Sequence, residues 1–500
     1  MLGKIFPAKI DHPMADAKEA RKILAQLPAM EASLALDSAT AWLESLIMTP
    51  EFKPEHRLDL IFRLDDSVLP QARKITREYL TSIRQTRSQE FRTWQIGHSY
   101  WSVLASAYRQ TLTLMQSNVK VIEVALKPHL PLLFVRLFHA SGNELKWTHF
   151  RYGPIDGGFW LSAGFGLQEA IRGKVANTSI RMYSFNGDST PTAEYQKILL
   201  MEASSLDKLQ PVEMEIAERL IAHLLPSFFL RDEARPDNVY WVDLAKPLPP
   251  TRLLVVPEIT PTLRFFPTAS AITALEGLRT SIETKEALPN EVNFGGQYST
   301  KVVLPVIHHL SRCWAPHPPT RNHQRRSVKS RMSIVHGLDA VTKKLQQIPG
   351  AEITHDSWEV ENVSQGGIGA QATTLVGRGT LKVGSLLAMC PEGGDNWLVG
   401  MVRRFSQVTE SKGSVGIETL SKSPVALMAD SKGLATEAIA LDPITTGSSI
   451  RLVLAASAWE EQSPLSVGWN DRRLRLMPVE LIDAGVGHVV SRYHVSAADE

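Results

Sequence analysis

The sequence predicts an α+β multidomain protein: a large, mostly α-helical N-terminal region, then a small antiparallel β-barrel with a C-terminal β extension. Three observations predict this class. Apolar residues recur at intervals of three and four through the first half of the chain. A proline-rich stretch at residues 315–320 ends that pattern. Beyond it, short apolar segments alternate with turn residues such as Gly393 and Gly394, which is typical of β-structure.

The helical region is predicted to extend over residues 1–315. Its clearest helix covers residues 88–115, where large aromatic side chains recur on one face: Phe91, Trp94, Trp101 and Tyr108. We interpret this stripe as the packed seam of a helix bundle rather than a cofactor site. A division of the region into two subdomains, with a boundary between residues 142 and 240, stays open at this point.

The rest of the chain is predicted to divide into three parts. Residues 316–331 form a proline- and arginine-rich linker, because prolines at 316, 318 and 319 stop helices. Residues 332–430 form the barrel, and residues 431–500 form the β extension. Strands are expected at 332–336, 358–363, 373–376, 385–389, 397–405 and 415–420, and later at 450–454, 474–478 and 488–493. Residues 430–447 are expected to be a looser stretch between the two sets.

Composition excludes several classes of protein. The 54 basic and 52 acidic residues nearly cancel, leaving a net charge of +2, so the chain has no globally basic surface for nucleic acid. Two cysteines, Cys313 and Cys390, cannot form a disulfide framework or a four-cysteine zinc site. The N-terminus lacks the pattern of a signal peptide, and no run of 18 apolar residues occurs. We therefore expect a cytoplasmic protein without a membrane span.

Positive charge is concentrated at the predicted linker. Residues 292–338 contain no Asp or Glu, and four arginines fall within residues 321–331: Arg321, Arg325, Arg326 and Arg331. A guanidinium binds a phosphate, or the O6/N7 edge of guanine, through two parallel hydrogen bonds. The segment could thus hold a guanine nucleotide. A solvated basic linker is the alternative interpretation.

A second polar cluster ends the predicted strand at 358–363. Asn362 and Ser364 lie two residues apart, so on an extended backbone their side chains point the same way. Gly366 and Gly367 allow a tight turn, whose N–H groups can face an anion. An ordinary Asx or Ser turn explains these residues equally well.

The two clusters together resemble the PilZ domain family. The residues that carry the resemblance are Arg321 and Arg325, four apart, and then Asn362, Ser364 and Gly367 in the pattern Asn-x-Ser-x-x-Gly. Later segments at 397–404 and 415–420 are also similar to that family. The resemblance covers residues 321–430, and it implies a six-stranded β-barrel that binds the bacterial second messenger cyclic di-GMP.

The resemblance also implies roles for these side chains. Arg321 and Arg325 are expected to contact the phosphates and guanines, whereas Asn362 and Ser364 are expected to hydrogen-bond a guanine base. Gly367, with Gly366 beside it, is expected to permit the turn. Arg326 and Arg331 stay as alternatives for the arginine motif, because six residues separate Arg325 from the first predicted strand.

We therefore expect a bacterial cyclic di-GMP receptor rather than an enzyme. Ligand binding at the barrel would be coupled to rearrangement against the helical region, which would contact a protein partner, and the output would be motility, adhesion or polysaccharide production. No HExxH, Walker A, GxSxG or paired CxxC motif occurs, so no catalytic residue, metal site or cofactor is expected.

Two alternatives stay open. The basic segment 321–331 could bind nucleic acid, in which case affinity would fall steeply with salt, whereas a ligand with two phosphates gives a shallow dependence. The protein could also be a scaffold whose barrel binds no ligand.

Overall fold

Helices build the first part of the computed structural model, and β-strands build the second. The structure describes residues 10–81, 86–115, 124–184, 187–292, 296–318, 323–347, 355–373, 381–409 and 411–498. The chain divides into a helical unit of Met1–Phe150, Ile155–Leu206 and Pro211–Pro319, and a barrel unit of Arg151–Pro154, Asp207–Gln210 and Thr320–Glu500. This confirms the predicted α+β multidomain class.

Amphipathic sequence and capping residues set the helices of the helical unit. Asp16 caps the first helix by accepting from the N–H groups of Lys18 (2.8 Å) and Glu19 (3.0 Å). The predicted helix at residues 88–115 is confirmed as α4. The helices are α1 (Ala17–Gln26), α2 (Ala32–Met48), α3 (Pro54–Leu80), α4 (Arg87–Met115), α5 (Leu130–His149), α6 (Gly157–Arg172), α7 (Pro191–Ala203), α8 (Pro211–Leu224), α9 (Ala269–Lys285) and α10 (Thr300–Trp314).

Two small sheets complete the helical unit. The first pairs β1 (Ile180–Arg181) with β2 (Asp188–Ser189). The second has the order β4-β3-β5, formed by β3 (Asn238–Asp243), β4 (Thr251–Arg252) and β5 (Leu263–Pro267). Its central strand β3 pairs antiparallel with both neighbours.

A buried polar network joins α3 to α5. Asp65 on α3 is fully buried, and it accepts hydrogen bonds from the hydroxyls of Tyr108 (2.8 Å) and Tyr183 (3.0 Å). Arg136 on α5 approaches the same carboxylate at 3.4 Å. Burial, together with the charge of Asp65, raises the pKa of both tyrosines well above the ordinary value, so the hydroxyls stay protonated donors. The carboxylate therefore links α3 to three other segments of the helical unit.

Six antiparallel strands close the first barrel of the barrel unit. Their order is β10-β11-β8-β7-β6-β9, and β6 closes the ring because it pairs with both β7 and β9. A short helix, α11 (Leu338–Leu345), follows β6. The strands are β6 (Arg326–His336), β7 (Asp356–Ser364), β8 (Gly367–Ala372), β9 (Leu386–Pro391), β10 (Leu398–Thr409) and β11 (Lys412–Ser421).

A second closed barrel follows directly, in the order β12-β13-β14-β17-β16-β15. Leu452, Val467 and Tyr493 belong to its buried core. Another apolar cluster, which includes Val341 of α11 and Met401 of the first barrel, joins the two barrels and α11. The strands are β12 (Val425–Ser431), β13 (Leu434–Ala440), β14 (Ser449–Ala455), β15 (Leu465–Trp469), β16 (Arg472–Ala484) and β17 (His488–Ala497).

The barrel unit also holds two short segments that come from earlier in the chain. The hydroxyl of Tyr152 donates to the carbonyl of Leu209 at 3.0 Å and accepts from the N–H of Val383 at 3.2 Å. Its ring lies 5.2 Å from that of Phe405 on β10. Tyr152 thus links all three segments of this unit.

The structure corrects three predictions of local structure. Strand β6 begins at Arg326, inside the predicted linker and six residues before the predicted start, because pairing with β7 orders a polar segment that has no apolar alternation. Strand β8 extends from Gly367, one of the two glycines expected in the turn, to Ala372, where no strand was predicted, and the strand predicted at 373–376 lies, apart from Thr373, outside the described residues. Strand β13 lies within the stretch expected to be loose.

Replacing Asp65 with alanine should strongly destabilise the helical unit. The change leaves the buried hydroxyls of Tyr108 and Tyr183 without their acceptor, and each unsatisfied buried donor costs about 1–3 kcal/mol, whereas Arg136 keeps Asp66, at 2.7 Å, as its other carboxylate. Urea unfolding monitored by circular dichroism measures the loss. Asp59→Ala is the matched control, because Asp59 is an exposed α3 carboxylate 3.6 Å from Arg63. Equal losses of stability in the two variants would contradict the importance assigned to the network.

Candidate ligand-binding site

The start of β6 lies beside the turn that joins β7 to β8. Arg326 is the Cα partner of Val363, and Ser327 is the partner of Asn362. On the other side of β7, Ser364 pairs with Gly367. Arg326 and Asn362 are 36 positions apart in the sequence. The antiparallel register nevertheless brings the arginine segment and the Asn-x-Ser segment to the same edge of the first barrel.

A cavity of about 370 Å³ opens at this edge. Two short segments line it, one entering β6 and the other leaving β7: His323, Gln324 and Arg326, and Val363, Ser364 and Gln365. Its volume falls within the range of small-molecule sites. Arg326 is exposed, so its guanidinium is accessible to an anion that enters the cavity.

Asn362 does not line the cavity, but it is adjacent in sequence to Val363, which does, and it holds an unused acceptor. Its Oδ1 atom is buried and has no hydrogen-bond donor in the described part of the chain. The side chain lies against β8, so close that a Cβ on Gly369 would stand 2.7 Å from its Nδ2 atom. Asn362 and Ser364 lie on the same face of β7, because no register shift separates them.

Ser364 forms a local hydrogen bond. Its hydroxyl donates to the carbonyl of Gly367 at 3.2 Å, which bridges the β7–β8 turn. The hydroxyl proton of Ser364 is therefore used within the turn, as in the ordinary Ser turn that the sequence left open as an alternative. The hydroxyl oxygen keeps its lone pairs as acceptors for a ligand.

The two glycines of the turn have different surroundings. Neither Gly366 nor Gly367 adopts a positive φ. A Cβ on Gly367 would stand 2.5 Å from the carbonyl oxygen of Ile417 on β11, whereas a Cβ on Gly366 would meet only the ring of His323, at 3.4 Å. Close approach of β11, rather than the conformation of the turn, requires glycine at position 367.

The structure separates the four arginines. Arg321 lies outside the described residues. Arg325 is exposed and precedes β6, and only Arg326 belongs to the cavity wall among the arginines that are described. Arg331 lies opposite Glu359, with its Nε atom donating to Ser357 at 3.1 Å. Five residues of strand place it about 17 Å from Arg326.

His323, Gln324, Val363 and Gln365 line the cavity but are not among the residues that the sequence analysis selected. Their residue types carry no signal by themselves. Each one lies inside one of the two motifs, between Arg321 and Arg325 or between Asn362 and Gly367, but only the structure shows that it lines the cavity.

Among the described residues, no group of three or more His, Cys, Asp or Glu side chains could hold a metal ion. No helix in the described ranges is both long and apolar enough to cross a membrane.

Comparison with known proteins finds one family. Residues 18–234 match the family described as "Cyclic-di-GMP receptor FimW, N-terminal domain". All of these residues belong to the helical unit except 151–154 and 207–210, which belong to the barrel unit. The search of curated proteins gives no match. The similarity to a cyclic di-GMP receptor therefore lies in the N-terminal helical region, for which the sequence predicts no family, and it does not cover residues 321–430, where the PilZ resemblance was expected.

Gly367→Ala should lower the melting temperature, because the added methyl group meets backbone that belongs to the neighbouring strand. Gly366→Ala is the matched control and should change it little, since the ring of His323 can move. Overpacking of this kind costs about 1–3 kcal/mol. Thermal unfolding monitored by circular dichroism compares the two variants. A larger loss for Gly366→Ala would contradict the role given to β11.

Proposed function

We propose that the chain is a cyclic di-GMP receptor that binds its ligand at the edge of the first barrel, between the start of β6 and the β7–β8 turn. The observation that carries the proposal is the cavity that both Arg326, at the start of β6, and Ser364, at the end of β7, line. The match of residues 18–234 to a family named for a cyclic di-GMP receptor supports the ligand class.

The polar groups at this edge complement guanine and phosphate. Arg326 can donate two parallel hydrogen bonds to a phosphate or to the O6/N7 edge of guanine. The Oδ1 atom of Asn362 needs a donor, and guanine carries donors at N1 and N2. The Asn362 side chain would have to turn from β8 toward the cavity to accept from a ligand N–H, and this hydrogen bond would remove the cost of a buried acceptor without a partner.

The arginine segment supplies the remaining contacts in this proposal. A cyclic dinucleotide has two bases and two phosphates, so a cavity of about 370 Å³ holds only part of it. Arg325 and Arg326 are adjacent, and on an extended backbone their side chains point in opposite directions. Arg326 would contact the part of the ligand inside the cavity, while Arg325, together with Arg321, would close over the part outside.

Closure of the arginine segment over the ligand would couple ligand binding to the helical unit. The arginine segment lies in the connection between α10, which ends at Trp314, and β6, which begins at Arg326. We expect the bound ligand to hold this connection against the barrel and so to change the tether between the helical unit and the barrel unit. A ligand shifts such an equilibrium only by its difference in affinity for the two arrangements.

Calorimetric titration of the full chain with cyclic di-GMP tests the proposal. The intact protein should bind, and Ser364→Ala and Arg326→Ala should each weaken binding about tenfold or more, since charged and buried hydrogen bonds contribute about 1.5–3 kcal/mol. Arg331→Ala is the matched control and should bind like the intact protein, because its guanidinium contacts Ser357 and Glu359 instead.

Absence of binding to the intact protein would reject the receptor function. Binding that is lost in Arg331→Ala and kept in Ser364→Ala would reject this site. Single-stranded DNA that binds in place of cyclic di-GMP, with affinity falling steeply with salt, would favour the nucleic-acid alternative.

A further inference from the structure

The helical unit contains a larger cavity, of about 750 Å³, that the proposed barrel site does not use. Its wall is formed by α3 with Thr81 after it, by α4, α5 and α8, and by residues 297–298. Spaces between the helices of a bundle are common positions for small-molecule sites, and this volume lies within their usual range. The side chains of the wall therefore indicate which kind of molecule fits.

A network of ion pairs forms the α5 and α8 side of the cavity. Lys146 donates to Glu215 at 2.9 Å and to Glu218 at 2.8 Å. The other oxygen of Glu215 accepts from Arg219 at 2.9 Å, and the other oxygen of Glu218 pairs with Lys197. Burial opposes the charge of Glu218, but attraction to the two lysines outweighs it and holds the pKa of this carboxyl well below its ordinary value. Each of the two carboxylates is thus held by two cations.

The charges of this network balance one another. Lys197 is also attracted to the buried carboxylate of Glu194. The network therefore holds three cations and three carboxylates: Lys146, Lys197 and Arg219, and Glu194, Glu215 and Glu218. Arg73 and Arg77 line the cavity from α3, but both are exposed to water, where an ion pair contributes little. At the inner wall a charged ligand would have to displace a partner from a buried ion pair, which is costly. The cavity thus favours a ligand without net charge.

Neutral polar groups of the wall keep hydrogen-bonding capacity for a ligand. Asn143 on α5 is 8% exposed, and its amide group donates to the carbonyl of His139 at 2.9 Å. Its Oδ1 atom has no donor in the described part of the chain. The hydroxyl of Thr76 on α3 donates to the carbonyl of Ala72 at 3.0 Å, which leaves the lone pairs of its oxygen as acceptors. Both acceptors need a ligand that carries hydroxyl or N–H groups.

Trp101 on α4 adds an unused donor to the wall. It lines the cavity with only 4% of its surface exposed, and its indole N–H has no acceptor among the described residues. A ligand oxygen that reached this N–H would remove the cost of a buried donor without a partner. Leu69, Leu80 and Val212 contribute aliphatic surface. The ligand must therefore both donate and accept hydrogen bonds and also carry some apolar surface.

A neutral sugar meets these requirements. Each hydroxyl donates one hydrogen bond and accepts two, and the C–H groups of the ring can contact aliphatic side chains. A hydroxyl also has the hydrogen-bonding pattern of water, so that sugar hydroxyls replace the waters of a polar cavity without loss of hydrogen bonds.

We propose that this cavity binds a neutral mono- or disaccharide, whose hydroxyls form hydrogen bonds with Thr76, Trp101 and Asn143. All three side chains belong to the region matched to the receptor family. The helical unit would then respond to a ligand of its own, whether or not cyclic di-GMP binds the barrel.

Saturation-transfer NMR of the full chain with glucose, N-acetylglucosamine and maltose tests this site. At least one of these sugars should receive saturation from the protein, and a titration then gives its Kd. Thr76→Val should weaken binding about threefold to tenfold, the usual effect of one neutral hydrogen bond. Asn143→Ala should weaken it further, and Thr76→Val alone decides the test if Asn143→Ala does not fold. Thr40→Val is the matched control, because the Thr40 hydroxyl donates in the same way to Leu36, at 2.8 Å, from α2 outside the cavity.

The outcomes separate this proposal from the receptor function at the barrel. Sugar binding that depends on Thr76 but not on Thr40 supports it, and Ser364→Ala in the barrel unit should bind sugar like the intact protein. Binding of none of the three sugars would overturn the proposal. Equal losses in Thr40→Val, or loss of sugar binding in Ser364→Ala, would overturn the location. Glucuronate is the charged counterpart of glucose, and tighter binding of glucuronate would overturn the neutral class.

Discussion

The pairing of β6 with two neighbours at once is the interaction on which the candidate site depends. Its backbone hydrogen-bonds to β7 on one side and β9 on the other, which closes the first barrel. Because the pairing with β7 includes Arg326 and Val363, closure of the barrel also fixes the arginine beside the β7–β8 turn. The start of β6 is polar and exposed and has little strand propensity of its own. Backbone pairing with β7 holds it in the barrel.

A comparable constraint organises the helical unit. The contact of Asp65 with Arg136 joins α3 to α5, and the same two helices carry cavity residues such as Arg73 and Lys146. A buried carboxylate that accepts from several hydroxyls has only one satisfactory arrangement of its partners. The network therefore joins α3, α4 and α5, three of the helices that line a cavity of about 750 Å³ in the helical unit.

The sequence predicts the class of each half of the chain but not the details of the site. Helical periodicity is strong, and α4 lies within one residue of its predicted range. The start of β6 lacks alternation because charged and serine residues make up most of it. Strand β8 alternates Ile368, Ala370 and Ala372 with Gly367, Gly369 and Gln371, but its glycines and alanines have low strand propensity. The reason for glycine at position 367 lies in a strand some 50 residues away, so no local pattern could reveal it. The motif residues Asn362 and Ser364 were predictable, whereas His323 and Gln324 became visible only in three dimensions.

The central claim is that one ligand contacts both the start of β6 and the β7–β8 turn. Hydrogen–deuterium exchange of the full chain, with and without cyclic di-GMP, tests it most directly. The account predicts slower exchange in peptides covering residues 323–327 and 362–368 together, with little change at residues 331–336 of the same strand. Slower exchange confined to the helical unit, or unchanged exchange at both segments with saturating ligand, would contradict it.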